Sequence, residues 1–140
     1  MAAIRMRTAT GLLLGVLASG CASVPSSEPL PFLPLLAPPP PGTEAIAHTA
    51  LISGRLVVER GCVRLAHRDS STTMIWHRGT ELGRDRSGLF LRETHNGQVV
   101  RFGVQTGFGG GTMPQRYVEE AYPDVAQRCG PPYASGWISD

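Results

Sequence analysis

The sequence predicts a small all-β domain over residues 49–140, either an antiparallel β-barrel of OB-like type or a sandwich of roughly five or six short strands. From Ala50 onward, short runs with period-two or β-branched character alternate with glycines and polar turns. Asn96-Gly97 lies between two apolar runs, which is a strong short-range signal for a β-hairpin. A short C-terminal helix or coil segment is expected to complete the fold.

The predicted strands follow one another at a spacing of roughly ten residues, which is typical of small barrels and sandwiches. The first strand is expected to be broken or bulged at Gly54, and a short extension is expected near Glu81 and Leu82. Closure into a barrel would remove the free strand edges at which chains aggregate. The predicted strands cover residues 51–59, 62–67, 73–77, 89–93, 98–102 and 104–107.

Two features follow the last predicted strand. The triple glycine at residues 109–111 is interpreted as a tight turn past the end of the barrel. A short helix is predicted within residues 117–127, where Pro123 limits it to one or two turns because proline cannot donate a helical hydrogen bond. We expect this region to cover one side of the barrel.

Residues 1–20 have the anatomy of a signal peptide. Two arginines precede an uncharged apolar run of about 10 residues, which is too short for a helix that spans a membrane. The sequence LASGC, which ends at Cys21, resembles the lipobox of bacterial lipoproteins, with Ala18 at the position where that family usually has leucine. The resemblance implies cleavage before Cys21 and lipidation of its thiol; the alternative is an ordinary secretory peptide that leaves Cys21 free.

The same resemblance implies a location in the cell. A lipidated amino terminus is held at a membrane surface by its acyl chains. Ala22 and Ser23 follow the cysteine, whereas an aspartate there is associated with retention in the inner membrane of diderm bacteria. The expected location is therefore the cell envelope, with the protein anchored to the outer membrane and facing the periplasm.

Residues 21–48 are predicted to be a proline-rich, disordered tether. The prolines remove backbone donors and favour an extended polyproline-II spacer of about 3.1 Å per residue. The stretch LPFLPLL at residues 30–36 is more apolar than a spacer requires. Packing of this stretch on its own domain is the favoured interpretation, and contact with the bilayer or with a partner remains open.

The three cysteines allow one bridge. With Cys21 lipidated, Cys62 and Cys129 form an even pair in an oxidising compartment, so the sequence predicts a disulfide between them. Such a bridge should stabilise the fold by about 4 kcal/mol and attach the C-terminal segment to the second strand. Metal or redox use is the alternative, although the chain has no CxxC motif.

Residue patterns for catalysis, metal binding or cofactor binding do not emerge. The four histidines lack HxH or HxxxH spacing, and the serines lie outside any GxSxG motif. The glycine run lacks the lysine and hydroxyl residue of a phosphate-binding loop. We therefore expect no metal, no cofactor and no catalytic residues, and a protein that is not an enzyme.

Four residues are candidates for contact with a partner. Tyr133 and Trp137 are expected in an exposed loop near the bridge. His67 and His77 fall at the ends of neighbouring predicted strands and could face each other, although a pair of exposed strand histidines is more often incidental. Trp76, together with Phe90, is assigned to the core because of the alternation along the strands.

Charge excludes one class of partner. Without the two arginines of the signal peptide, the chain has as many basic as acidic residues, so we expect no nucleic-acid binding. The sequence therefore favours a non-enzymatic binding or structural module that contacts an envelope protein or a polysaccharide. The alternatives are a small-ligand-binding barrel in the periplasm and an enzyme whose site is formed by dispersed residues such as Arg64, His67 and His77.

A second resemblance supports the fold and the bridge. The segments GCVRL, MIWHRGTEL and NGQVVRFG, the glycine run and a tail that contains CG are similar to segments of small bacterial lipoproteins and secreted β-domains. This resemblance covers residues 54–136 and implies no activity.

Overall fold

The structure is a computed structural model that describes residues 28–43 and 49–139. The predicted signal peptide and Cys21, the predicted lipidation site, lie outside these residues. The described part contains eight strands and two short helices. They are β1 (Ala50–Glu59), β2 (Cys62–His67), β3 (Ser70–Trp76), β4 (Thr80–Asp85), β5 (Gly88–Glu93), β6 (Val99–Arg101), β7 (Gln105–Met113), α1 (Gln115–Ala121), α2 (Pro123–Cys129) and β8 (Tyr133–Trp137).

Five of the strands form a closed barrel in the order β1-β2-β3-β8-β7. The predicted all-β fold and the small OB-like barrel are confirmed. The expectation of a wholly antiparallel barrel is wrong, because β3 and β8 run parallel, with Thr73 opposite Tyr133. Strand direction cannot alternate around a closed ring with an odd number of strands, so at least one neighbouring pair in a five-stranded barrel must be parallel.

β1 changes partner along its length without a break. Residues 50–55 pair with β7, and residues 55–59 pair with β2. Gly54 lies at the change of partner, where a Cβ atom would come within 2.5 Å of the Ala66 carbonyl oxygen. The expected break at this glycine is therefore a close approach of two strands within a continuous element.

The remaining strands form a separate three-stranded sheet in the order β4-β5-β6. The hairpin predicted at Asn96-Gly97 is confirmed, since β5 and β6 pair antiparallel. The Glu93 amide donates to the Gln98 carbonyl at 2.9 Å, so the loop between them has four residues. Gly97 takes a positive φ of 76°, which glycine adopts without steric strain.

Two apolar clusters hold these elements together. The first fills the barrel and the space under the three-stranded sheet, and includes Trp76 in edge-to-face contact with Phe108. The assignment of Trp76 to the core is confirmed, whereas Phe90 is half-buried on the outer face of β5, under the Arg101 guanidinium. The second cluster lies outside the barrel, between its wall and the two helices, and includes Ile75 and Val118.

Part of the expected tether belongs to the fold. Residues 31–36, which we call the strap, lie against the barrel where β2 and β3 no longer pair with each other. The Phe32 amide donates to the Gly61 carbonyl at 2.7 Å, and the Phe32 carbonyl accepts from Val63 at 2.9 Å. The Leu36 amide donates to the Trp76 carbonyl, and the Trp76 amide donates to the Pro34 carbonyl, each at 2.8 Å.

The prediction of a disordered tether is therefore wrong for the strap, and the favoured packing of its apolar residues on the domain is confirmed. Phe32 and Leu36 pack on the second apolar cluster, and Leu33 packs on the first. Prolines do not prevent this pairing, because Phe32 and Leu36 supply the donors and Pro34 supplies only its carbonyl.

The region after residue 104 differs from the prediction in two places. The triple glycine lies within β7 rather than in a turn, because the β7 backbone pairs with β1 on one side and β8 on the other without needing side chains. The single predicted helix is two helices, with Pro123 at the first position of α2, where its missing N–H is tolerated. Within residues 28–43 and 49–139, neither helix has the length and apolar character to cross a membrane.

Candidate functional site

Arg64 points outward from β2 into a polar cluster beside the C-terminal segment, and the residue is 6% exposed. Its guanidinium donates to the carbonyl oxygens of Cys129 at 2.7 Å and Gly130 at 3.0 Å. On β3 it donates to the Ser71 carbonyl at 2.9 Å and to the Thr73 hydroxyl. Arg64 therefore fastens the segment that precedes β8 onto β2 and β3.

Electrostatics support this structural role. Burial lowers the pKa of Arg64, and the nearby carboxylate of Glu59, 3.3 Å from Nε, partly offsets the effect. Glu59 also accepts a hydrogen bond from Ser71, so the guanidinium and the carboxylate are both held in place. A depression of about 220 Å³ lies over these groups, with Arg60 and Pro131 at its margin. Because the Arg64 donors face protein acceptors, this depression offers little to a ligand.

The predicted disulfide is confirmed. Cys62 and Cys129 are bonded, with their Cα atoms 5.7 Å apart and a sequence separation of 67. The bridge joins the start of β2 to the end of α2, next to the carbonyls that Arg64 binds. Together, the bridge and Arg64 hold the C-terminal segment against the second strand, as the sequence indicated.

The outer face of β2 and β3 is covered. The strap fills the gap between the ends of β2 and β3 and adds Phe32 and Leu36 to the cover of this face, while α1 and α2 lie over it through Val118 and Val125. OB-folds bind oligonucleotides and oligosaccharides on the face that includes their second and third strands. In this chain, the strap and the two helices occupy that face, and we call it the covered face.

Tyr133 belongs to the covered face, and its predicted role as an exposed contact residue is wrong. It begins β8, is 2% exposed and packs with Ile75 and Met113. Burial raises the pKa of its hydroxyl. The tail CGPPYASGW was expected to be a loop because of its glycines and prolines, but β3 and β7 pair with its second half from both sides.

A shallow groove of about 400 Å³ separates the strap from the helices. Phe32, Leu35, Tyr122 and Val125 line it. The Tyr122 hydroxyl accepts a hydrogen bond from the Ala37 amide at 3.3 Å, which ties the strap to the start of α2. The Arg128 guanidinium lies 3.9 Å from the centroid of the Phe32 ring, a cation–π contact that closes the groove at one end.

Another part of the barrel's outer surface carries a row of four residues that lie side by side across the strands. Leu51 on β1 is opposite Gly109 on β7, which is opposite Trp137 on β8. His77 follows β3 directly beside Trp137, with ring centroids 5.6 Å apart. We call these four residues the open row, because Leu51 is 74% exposed, His77 is exposed and Trp137 is half-buried.

Gly109 shapes the open row. Any side chain at this position would overlap the Trp137 indole, so the glycine lets the ring lie on the strand backbone. Gly109 is itself buried beneath the indole, and Trp137 is half-buried. Of the predicted contact residues, the structure therefore brings Trp137 and His77 together in this row.

A buried carboxylate lies next to the open row, and sequence analysis missed it. Glu93 accepts hydrogen bonds from the backbone amide of His95 at 3.1 Å and from its Nδ1 at 2.7 Å. Burial opposes ionisation of Glu93, but the hydrogen bonds from His95 outweigh it, and the pKa of Glu93 is lowered. The His95 side chain is 85% exposed and lies against Gly79, in the turn that begins at His77.

The predicted meeting of His67 and His77 is wrong. β2 and β3 are antiparallel, so His67 lies opposite Ser70 at one end of the pair, while His77 follows the other end of β3. The Nδ1 atom of His67 lies 3.1 Å from the Ser53 carbonyl oxygen. Arg64, His67 and His77 therefore do not converge on one site. Within the described ranges, no three His, Cys, Asp or Glu side chains form a group that would hold a metal ion.

Comparisons with protein families, with curated proteins and with solved structures give no match for this chain.

Proposed function

We propose that the chain is a lipoprotein of the cell envelope, anchored through Cys21, and that its barrel is a non-enzymatic binding or structural module. The observation that carries the proposal is the pairing of the cysteines. The bridge uses Cys62 and Cys129, and Cys21 at the end of the lipobox is the remaining thiol. A disulfide also fits a protein exported to an oxidising compartment. Outer-membrane attachment that faces the periplasm is part of the proposal, on the basis of Ala22 and Ser23.

The strap changes how the anchor would hold the domain. A spacer over the whole of residues 21–48 would extend by roughly 80 Å. Glu28 is already tied to the domain, since its carbonyl accepts a hydrogen bond from Arg84 at 2.9 Å. The seven residues from Ala22 to Glu28 can reach at most about 25 Å. The proposed lipoprotein is therefore held close to its membrane.

The open row is the surface that we propose for contact with an envelope polysaccharide. The half-buried indole of Trp137 is an aromatic surface of the kind that packs on the apolar face of a sugar ring, and the exposed imidazoles of His77 and His95 can bond to its hydroxyls. An enzyme built on Arg64, His67 and His77 is less well supported, because Arg64 binds protein carbonyls and the two histidines are apart. A ligand inside the barrel is also less well supported, since Leu56, Trp76 and Phe108 fill the interior.

Mass spectrometry of the membrane fraction tests the anchor. The mature amino-terminal peptide should begin at Cys21 and carry a diacylglycerol group. A Cys21→Ser variant should lose the modification and leave the membrane fraction, while Ser26→Ala should behave as the wild type. An unmodified peptide that begins elsewhere would contradict the proposal.

Co-sedimentation with purified cell-wall polysaccharide tests the binding surface. Trp137→Ala should reduce the bound fraction several-fold, because it removes the aromatic surface of the open row. Tyr117→Ala is a matched control, since Tyr117 is an exposed aromatic residue on α1, away from the open row. Equal binding by both variants would rule out the open row as the contact surface.

A further inference from the structure

The chain enters the domain at one end of the three-stranded sheet. Arg84, near the end of β4, donates to the Glu28 carbonyl at 2.9 Å, and its NH1 lies 3.6 Å from the Glu28 carboxylate. β4 and β5 are joined by a tight hairpin in which Asp85 pairs with Gly88. The first described residues therefore lie beside the tip of this hairpin, residues 84–88.

The open row lies towards the other end of the same sheet. His77 precedes β4, and His95 follows β5, so both are at the end opposite the hairpin tip. β4 rises about 3.3 Å per residue, which separates Thr80 from Asp85 by roughly 17 Å. The chain runs from the hairpin tip towards the open row. It passes from Glu28, beside Arg84, through the strap to Leu36, which bonds to Trp76 just before His77.

The chemistry of the tip suits a lipid surface. Asp85 is held by Arg101 through two hydrogen bonds of 2.7 and 2.6 Å, so its charge is compensated. Arg86 is exposed at the turn. Leu30, two residues after Glu28, is 49% exposed. Guanidinium groups bind phosphate oxygens in bidentate geometry, and basic residues near a membrane are attracted to its anionic lipids.

We propose that the β4–β5 hairpin tip faces the membrane, with Arg86 against phospholipid headgroups, and that the open row faces away from the membrane. This inference rests on the proposed lipid anchor at Cys21. The linker between Cys21 and Glu28, which we call the leash, reaches at most about 25 Å. This is less than the width of a small domain, so the leash restricts which end of the domain can approach the bilayer. The orientation leaves Trp137 and His77 accessible to a polymer beyond the membrane.

The experiment uses the full lipidated protein in vesicles of phosphatidylethanolamine and phosphatidylglycerol that contain a nitroxide-labelled lipid headgroup. With Cys21 acylated and the other two cysteines bridged, one added cysteine carries the fluorophore. Ser87→Cys places it at the hairpin tip, and Arg78→Cys places it in the exposed turn at the opposite end. Quenching by the lipid label should be several-fold stronger at residue 87 than at residue 78.

Two further variants sharpen the test. Arg86→Glu should reduce quenching at residue 87 while the protein still floats with the vesicles, because the anchor is unchanged. Insertion of a long Gly-Ser segment between Ser26 and Ser27 should bring the two positions towards equal quenching, because the leash no longer restricts orientation.

The outcomes separate this inference from the proposal on which it rests. Protein that floats with the vesicles but shows equal quenching at both positions, or stronger quenching at residue 78, overturns the orientation and leaves the anchor standing. Protein that carries no acyl group and fails to float overturns the anchor, and the orientation with it.

Discussion

The covered face and the open row belong to one barrel wall but differ in what their residues do. On the covered face, the strap, two helices, a disulfide and a buried arginine all pack on or bond to β2 and β3. Across the open row, a glycine takes the place of a side chain, and Leu51 and His77 remain exposed. The comparison teaches that the bonds and packing contacts that stabilise the domain are concentrated on the covered face, which leaves the open row as the exposed surface that we propose for contact.

The largest expected effect is loss of the bridge on the covered face. Replacement of both Cys62 and Cys129 by alanine should lower the free energy of unfolding by about 4 kcal/mol, because the bridge closes a long loop in the unfolded chain. Denaturant unfolding of the domain secreted without its anchor measures this effect. Cys21→Ser in the same secreted protein should leave the unfolding midpoint unchanged, and an equal loss in that control would contradict the assignment.

Removal of the Arg64 clamp should come next. Arg64→Met keeps the length of the side chain but leaves the Cys129 carbonyl without its Arg64 donor and the Gly130 carbonyl with only the Thr73 hydroxyl, which should cost about 3 kcal/mol. Arg60→Met is the control, because Arg60 is exposed in the neighbouring turn and should change stability by less than about 0.5 kcal/mol. Similar midpoints for the two variants would show that Arg64 does not act as a clamp.

The strap should make a smaller contribution. Phe32→Ala combined with Leu36→Ala should lower the free energy of unfolding by about 2 kcal/mol, since both side chains are only partly buried against the second apolar cluster. Leu30→Ala combined with Leu35→Ala removes exposed side chains of the same segment and serves as the matched control. Thermal unfolding of the two double variants should separate clearly, and identical curves would mean that the strap does not pack.

The smallest effect is expected beside the open row, at Glu93. Because the folded pKa of Glu93 is lowered from its ordinary value of 4.5, its interaction with His95 stabilises the fold above that value and is lost as the pH falls through the folded pKa. Glu93→Gln should therefore be less stable than wild type at pH 7, by about 1 kcal/mol, with the difference vanishing in acid. Glu81→Gln, at an exposed ion pair, should show little change.

The hairpin, the disulfide and the core position of Trp76 could be predicted from sequence. Their signals lie within a few neighbouring residues or in the number of cysteines. Asn96-Gly97 marks a hairpin since glycine tolerates the positive φ of its turn, and Gly97 does adopt it. The bridge was predicted from the parity of the cysteines, on the expectation that the chain is exported. The core position of Trp76 followed from alternation along a strand.

The remaining features depend on contacts between distant segments. The glycines of β7 and the tail around Tyr133 have turn-like composition, and only their pairing with strands far away in sequence makes them strands. The proline content of residues 31–36 predicts an extended, disordered segment because proline removes donors, but the Phe32 and Leu36 amides donate to the Gly61 and Trp76 carbonyls. Of the candidate site, Trp137 and His77 were found from sequence, whereas Glu93 and Gly109 gain their meaning only from neighbours across the sheet.

Amide hydrogen exchange of the strap tests the central claim most directly, namely that residues 31–36 are part of the barrel, on which the proposed short connection to a membrane depends. The amides of Phe32 and Leu36 donate to barrel carbonyls and should exchange as slowly as those of Val63 and Trp76, which donate to the strap. Exchange of Phe32 and Leu36 at the rate of an unstructured peptide, with Val63 and Trp76 unprotected, would contradict it.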